Sequence, residues 1–149
     1  ECSLPVDGQP WPQLELMRER MRQLFNTSMH ALFRKLETAP ATIVFRTTSP
    51  AHEHCEVDGK WQRKHTRPFV AKPWYYWDEF EARNQLQRRL VNQTNRIRIA
   101  NQLPPIGVID VYPMLLQRPD EHVLHDDHPP DCLHWLHGPY SVVQYFNRI

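Results

Sequence analysis

Thr42-Ile43-Val44-Phe45-Arg46-Thr47-Thr48-Ser49-Pro50-Ala51-His52 is the stretch on which the fold turns. Its first four residues form a continuous β-branched and aromatic run between Pro40 and Pro50, which predicts a short strand buried on both faces. In open α/β sheets ligands bind beyond the carboxyl ends of the strands, so residues 46–52 occupy the position of a site. Arg46 either faces that site or pairs with a structural carboxylate at the turn. His52 ends the same segment.

A second run, Ile106-Gly107-Val108-Ile109-Asp110, reads as the next buried strand, with Asp110 at its carboxyl end. Before the first strand, Leu14, Met17, Met21, Leu24, Phe25, Leu32, Phe33 and Leu36 recur among charges and predict a long amphipathic helix over 13–36 whose apolar stripe is core. Between the strands, Asp78-x-x-Glu81 has the form of a capping box and opens a helix to about Asn101. Its apolar positions, Phe80, Leu86, Leu90, Val91 and Ile97, are sparse, so this helix is expected on the outside. Arg83, Arg88, Arg89, Arg96 and Arg98 then read as its solvated face. Residues 54–76 form a long aromatic-rich loop, and residues 140–149 a short terminal helix. Helix, strand, helix, strand, helix is an α/β order. At 149 residues the chain has the size of one domain, residues 1–149.

No apolar run is long enough to cross a bilayer, and the expectation is a soluble chain. It opens on Glu1 rather than Met, which leads us to expect a processed or partial sequence. A net charge of +1 gives no field that argues for nucleic acid. The triplets Asn26-Thr27-Ser28 and Asn92-Gln93-Thr94 are glycosylation sequons and point to the secretory pathway, Golgi lumen or extracellular space. In that oxidising setting Cys2, Cys55 and Cys132 would make one disulfide and leave one odd cysteine.

Chemistry is concentrated in Pro130-Asp131-Cys132-Leu133-His134-Trp135. A carboxylate and an imidazole three residues apart can share one face of a turn, the Asp holding one ring N–H while the other nitrogen takes a proton from a nucleophile. No nucleophile is evident. Of Ser3, Ser28, Ser49 and Ser141, none lies in a Gly-x-Ser-x-Gly or Gly-Asp-Ser setting. His122, His125, Asp126, Asp127, His128, Cys132 and His134 offer zinc-type donors, but their spacing matches no zinc motif. No metal and no cofactor is therefore expected.

Taken together, Val44-Phe45-Arg46-Thr47-Thr48-Ser49-Pro50-Ala51-His52, Ile109-Asp110-Val111-Tyr112-Pro113-Met114, Arg118-Pro119-Asp120-Glu121-His122 and Asp131-Cys132-Leu133-His134-Trp135 resemble the carboxyl-terminal half of the PC-esterase group. That group includes plant trichome-birefringence-like polysaccharide O-acetyltransferases, and the resemblance runs from about Thr42 to the end. It implies an SGNH-hydrolase-like three-layer sandwich with a parallel sheet, of which this chain is part. It also implies a serine, held in a Gly-Asp-Ser motif of a missing amino-terminal segment, completed by Asp131 as orienter and His134 as base. Arg46, His52 and Trp135 become substrate-side residues. The implied partners are an acyl donor such as an acetyl ester and a glycan acceptor. By the same resemblance Cys132 pairs with a cysteine in the loop after the first strand, where Cys55 is available. One departure is Leu136, which stands where the family commonly continues His-Trp-Cys, so one family disulfide cannot form. The alternatives are a glycan-binding relative with an incomplete triad and, behind it, a zinc-dependent hydrolase.

Overall fold

The computed structural model describes residues 12–52, 56–57, 60–61, 76–118, 122–123 and 131–135. Helix α1 (Pro12–Leu36) leads to strand β1 (Val44–Arg46), and β2 (Glu56–Val57) pairs with β3 (Lys60–Trp61) as a small antiparallel hairpin. A 3-10 turn (Trp77–Glu79) runs into helix α2 (Phe80–Ala100), followed by β4 (Gly107–Ile109), α3 (Tyr112–Leu115), β5 (His122–Val123) and β6 (Asp131–Trp135). Strands β1 and β4 are parallel, in register Val44 with Gly107 through Arg46 with Ile109, with α2 in the connection between them. The mixed order and small parallel sheet are those expected from the sequence. Among the described residues no helix is long and apolar enough to cross a membrane.

Three expectations about burial are corrected. The parallel pair is covered on one face only: Phe45 packs tilted on Phe33, 5.8 Å between ring centroids, while Val44 and Val108 remain 60% and 42% exposed. Helix α1 buries only its carboxyl-terminal end. Phe33 enters the core with Met29 and Leu36 beside it, whereas Leu16, Met17, Met21, Leu24 and Leu32 are exposed. Helix α2, expected outside, is the more enclosed of the two, with Asn84, Gln87, Leu90, Val91, Thr94 and Arg98 buried.

The buried face of α2 is largely polar because it binds backbone. The Asn84 side-chain amide brackets Thr48 just past β1, accepting from its N–H (2.9 Å) and donating to its carbonyl (3.0 Å). Asn95 does the same to Ile106 just ahead of β4, at 2.6 and 3.0 Å. Arg98 has no exposed surface, so it is not part of a solvated face. Its Nε donates to Pro104 O (2.7 Å), Nη1 to the carbonyls of Leu36 and Ala39 (2.9 Å to the latter), and Nη2 to Ala41 O (2.9 Å). A permanent cation is thus satisfied by the end of α1, the loop to β1 and the loop to β4. The Leu36 carbonyl belongs to the negative end of α1, where a cation is favoured.

Neither end of α2 follows the expected chemistry. No side-chain cap is made at its start. Asp78 instead binds Arg18 of α1 (2.8 Å), and Glu81 binds Arg88 two turns further along α2 (2.8 Å), so the Asp-x-x-Glu pattern serves one tertiary and one intrahelical ion pair rather than a cap. At the other end Gln102 takes a left-handed conformation, φ 59°. The Leu103 N–H returns to Arg98 O and the Gln102 N–H to Ile99 O, a Schellman closure that uses glutamine where glycine costs less. Residues 62–75 of the aromatic loop and the terminal stretch 140–149 lie outside the described residues.

Replacing Arg98 leaves four carbonyls without their donor, each costing about 1–3 kcal/mol when buried. Arg98→Gln is therefore expected to lower the unfolding free energy by about 3 kcal/mol or more in urea denaturation. A loss below about 0.5 kcal/mol, typical of a surface change, would contradict the bracket.

Candidate active site

The carboxyl end of β1 is organised by one hydroxyl. Thr47, buried, donates to Asp110 Oδ1 (3.0 Å) and accepts from the N–H groups of Val111 (3.0 Å) and Tyr112 (3.3 Å). Asp110 stands just past β4, where Arg88 of α2 holds it with Nη1 at 3.1 and 2.9 Å from its two oxygens. One threonine thereby ties the two strand ends to the start of α3. The Tyr112 hydroxyl is pushed up to about 12 by burial, with the Glu81 carboxylate adding to the shift and the Arg88 guanidinium opposing it.

Arg46 is exposed and donates through Nη2 to Ser49 Oγ (3.1 Å). The partner is a neutral hydroxyl in its own turn rather than a structural carboxylate. Ser49 is the serine nearest the strand end, and its oxygen accepts this bond. The chain then brings His52 against β6, with the His52 N–H donating to Cys132 O at 3.0 Å.

His52 and Trp135, expected on the substrate side, both turn into the protein. His52 has no exposed surface; its Nδ1 lies 2.8 Å from His122 Nε2 and its Nε2 2.9 Å from Leu116 O. His122 is equally buried, and its Nδ1 lies 2.9 Å from the carbonyl of His134. The Trp135 indole packs on both rings, 4.3 Å between centroids to His122 and 5.5 Å to His52, and its Nε1 donates to Pro50 O at 3.2 Å. Val111 and Leu115 complete its apolar surroundings.

The Asp131-to-Trp135 stretch is strand β6 rather than the turn expected from the spacing. Its pairing with β5 is irregular: His122 opposes Trp135, but Val123 opposes Asp131 where a regular ladder would bring His134. Residues 132–134 therefore bulge, and a bulge re-aims side chains that a regular strand sends to alternate faces. The His134 side chain is exposed. The Asp131 side chain lies outside the described residues, so its distance to His134 is not part of this geometry. Cys132 is disulfide-bonded; both other cysteines, Cys2 and Cys55, fall outside the described residues. Asn26 and Asn92 are exposed on α1 and α2. No group of three metal donors comes together among the described residues, and positions 125–128 of the histidine-rich segment lie outside them.

Four residues that shape the site have no such role from the sequence alone: Thr47 and Asn84 are not singled out, Arg88 reads as part of a solvated face, and His122 is weighed only as a zinc-type donor. Asn84, Arg88, Asn95 and Arg98 recur at one-face helical spacing, a signal visible in the sequence but carried by polar residues rather than apolar ones.

The chain belongs to the PC-Esterase family, described as the GDSL/SGNH-like acyl-esterase family found in Pmr5 and Cas1p; the family model matches residues 8–142. The match includes α1, and so begins well ahead of the motifs that carry the resemblance in the sequence. No curated protein and no solved structure matches the chain.

Thr47→Val keeps the shape of the side chain and removes its hydroxyl, leaving the Val111 and Tyr112 N–H groups without their acceptor. The expected cost is about 1–3 kcal/mol, with faster amide hydrogen exchange at Val111 and Tyr112 ahead of the helix α2 amides. Unchanged protection at both amides would show that Thr47 does not tie the strand ends.

Proposed function

We propose that this domain transfers acyl groups, acetyl foremost, to glycan hydroxyls, or hydrolyses such esters, with Asp131 and His134 as two members of a Ser-His-Asp triad. The observation that carries the proposal is the Asp131-x-x-His134 motif on β6, inside the matched region of an acyl-esterase family and hydrogen-bonded to the segment that follows β1. The exposed imidazole of His134 suits a group that must meet a substrate. The serine would come from a Gly-Asp-Ser motif in a segment outside these 149 residues, which would also complete an SGNH three-layer sandwich.

In the first half-reaction the serine Oγ attacks the donor's acyl carbonyl while His134 takes its proton, with Asp131 holding the other ring nitrogen. Collapse of the tetrahedral intermediate expels the donor's oxygen, which receives that proton from His134, and leaves an acyl-serine. In the second half, His134 deprotonates a sugar hydroxyl, or water, as it attacks the acyl-serine. Collapse then forms the new ester, or the free acid, and His134 returns the proton to the serine. Arg46, exposed at the rim, would contact substrate. His52 and Trp135 would support the site from behind, since both are buried. A Cys55–Cys132 disulfide, glycans on Asn26 and Asn92, and residence in the secretory pathway belong to the same proposal. A glycan-binding relative with an incomplete triad is the reading to be excluded.

His134→Ala in the complete protein is expected to lower acetyl transfer or ester hydrolysis by about 10²–10⁴-fold, the range for loss of a general base. Circular dichroism and the unfolding midpoint should stay unchanged, because the side chain is exposed. Activity within about threefold of wild type would remove His134 from the triad.

A further inference from the structure

The contacts of His52 and His122 require more protons than two neutral rings possess. Three short contacts run in series: Leu116 O to His52 Nε2 at 2.9 Å, His52 Nδ1 to His122 Nε2 at 2.8 Å, and His122 Nδ1 to His134 O at 2.9 Å. The two outer acceptors are carbonyls, which cannot donate, so each outer ring nitrogen must carry a hydrogen. A neutral imidazole has one N–H. With both used on the outside, two bare lone pairs would face each other at 2.8 Å. Moving either hydrogen inward only transfers the repulsion to a carbonyl.

We infer that His52 and His122 share one additional proton and form a buried singly charged pair that latches β6 to the loop after β1. With that proton in place all three contacts become hydrogen bonds, and the central one is charge-assisted. Burying the charge is costly, and the Trp135 indole, whose ring centroid lies 4.3 Å from that of His122, offsets part of that cost. Among the residues whose side chains are described, the titratable and charged groups on the surrounding segments are Arg46 at the end of β1, Asp110, Tyr112 and Arg118 flanking α3, and His134 on β6, which also carries Asp131. Asp110 is already matched by Arg88, and Tyr112 stays neutral up to about 12. A metal ion between the rings would relieve the same lone-pair conflict, but zinc normally takes at least three protein ligands. No such group is gathered among the described residues.

The latch has a definite pH sense. The pair keeps its proton in the folded state above the pH where a free histidine, at about 6.5, releases it. The stability it adds is full below that value and disappears as pH rises through the folded pair's own titration.

Nitrogen-15 NMR of histidine-labelled protein at about pH 8 tests this, since free histidine is neutral there. The expected spectrum has three ring protons over the two residues, one of them strongly downfield and coupled to both rings. Two ordinary neutral rings, each with a bare nitrogen, would overturn the inference, as would a metal found at one per chain whose removal restores that spectrum. As a second measurement, unfolding free energy should fall between about pH 6.5 and 9 in wild type. That slope should flatten in His122→Gln, whose amide donates and accepts without titrating. An equal slope in both proteins would overturn it. Should the variant not fold, the wild-type spectrum decides alone.

Discussion

A guanidinium with no exposure to water is the constraint on which the rest of this domain depends. Arg98 spends four of its five N–H groups on carbonyls from the end of α1, the loop before β1 and the loop before β4. A buried guanidinium must find its acceptors within the protein. The segments must therefore come to it, and they can be met only if α2 crosses both strand ends at a fixed height.

From that fixed helix the site is set out by hydrogen bonds rather than by apolar packing. Asn95 holds the residue before β4, Asn84 the residues after β1, and Arg88 the carboxylate that Thr47 shares. The hydrophobic cluster of Phe33, Leu90, Val91 and Ile106 supplies contact area but little direction. Directional bonds to backbone atoms fix position more narrowly than side-chain packing does. That is what a loop carrying reactive groups needs. The buried histidines and Trp135 extend the arrangement to β6, so the strand bearing Asp131 and His134 is hung from the same frame.

Much of this was legible in the residues, and the failures share one cause. The strands at 44–46 and 107–109, their parallel pairing and the helices at 12–36 and 80–100 follow from β-branched runs, proline stops and helical spacing. Burial was misjudged wherever polarity and position part company. α2 looked exposed because apolar residues are sparse on it, yet its inward face is Asn84, Gln87, Thr94 and Arg98. Helix α1 looked enclosed because it is apolar, yet Met17 and Leu24 have no described cover and stand more than half exposed. The Asp131–His134 spacing was read as a turn, because nothing local distinguishes a turn from a bulged strand whose partner lies about ten residues upstream. Family motifs supplied the chemical role that local patterns left open.

The account rests on one chemical claim, that Asp131 orients His134 for proton transfer at an acyl centre. The direct measurement is kcat/KM for an activated acetyl ester in Asp131→Asn, made in the complete protein alongside its unfolding midpoint. An amide of the same shape presents the wrong hydrogen-bonding group to the imidazole, and the account predicts a fall of about 10²–10⁴-fold with the midpoint unchanged. A variant that keeps wild-type kcat/KM would contradict it.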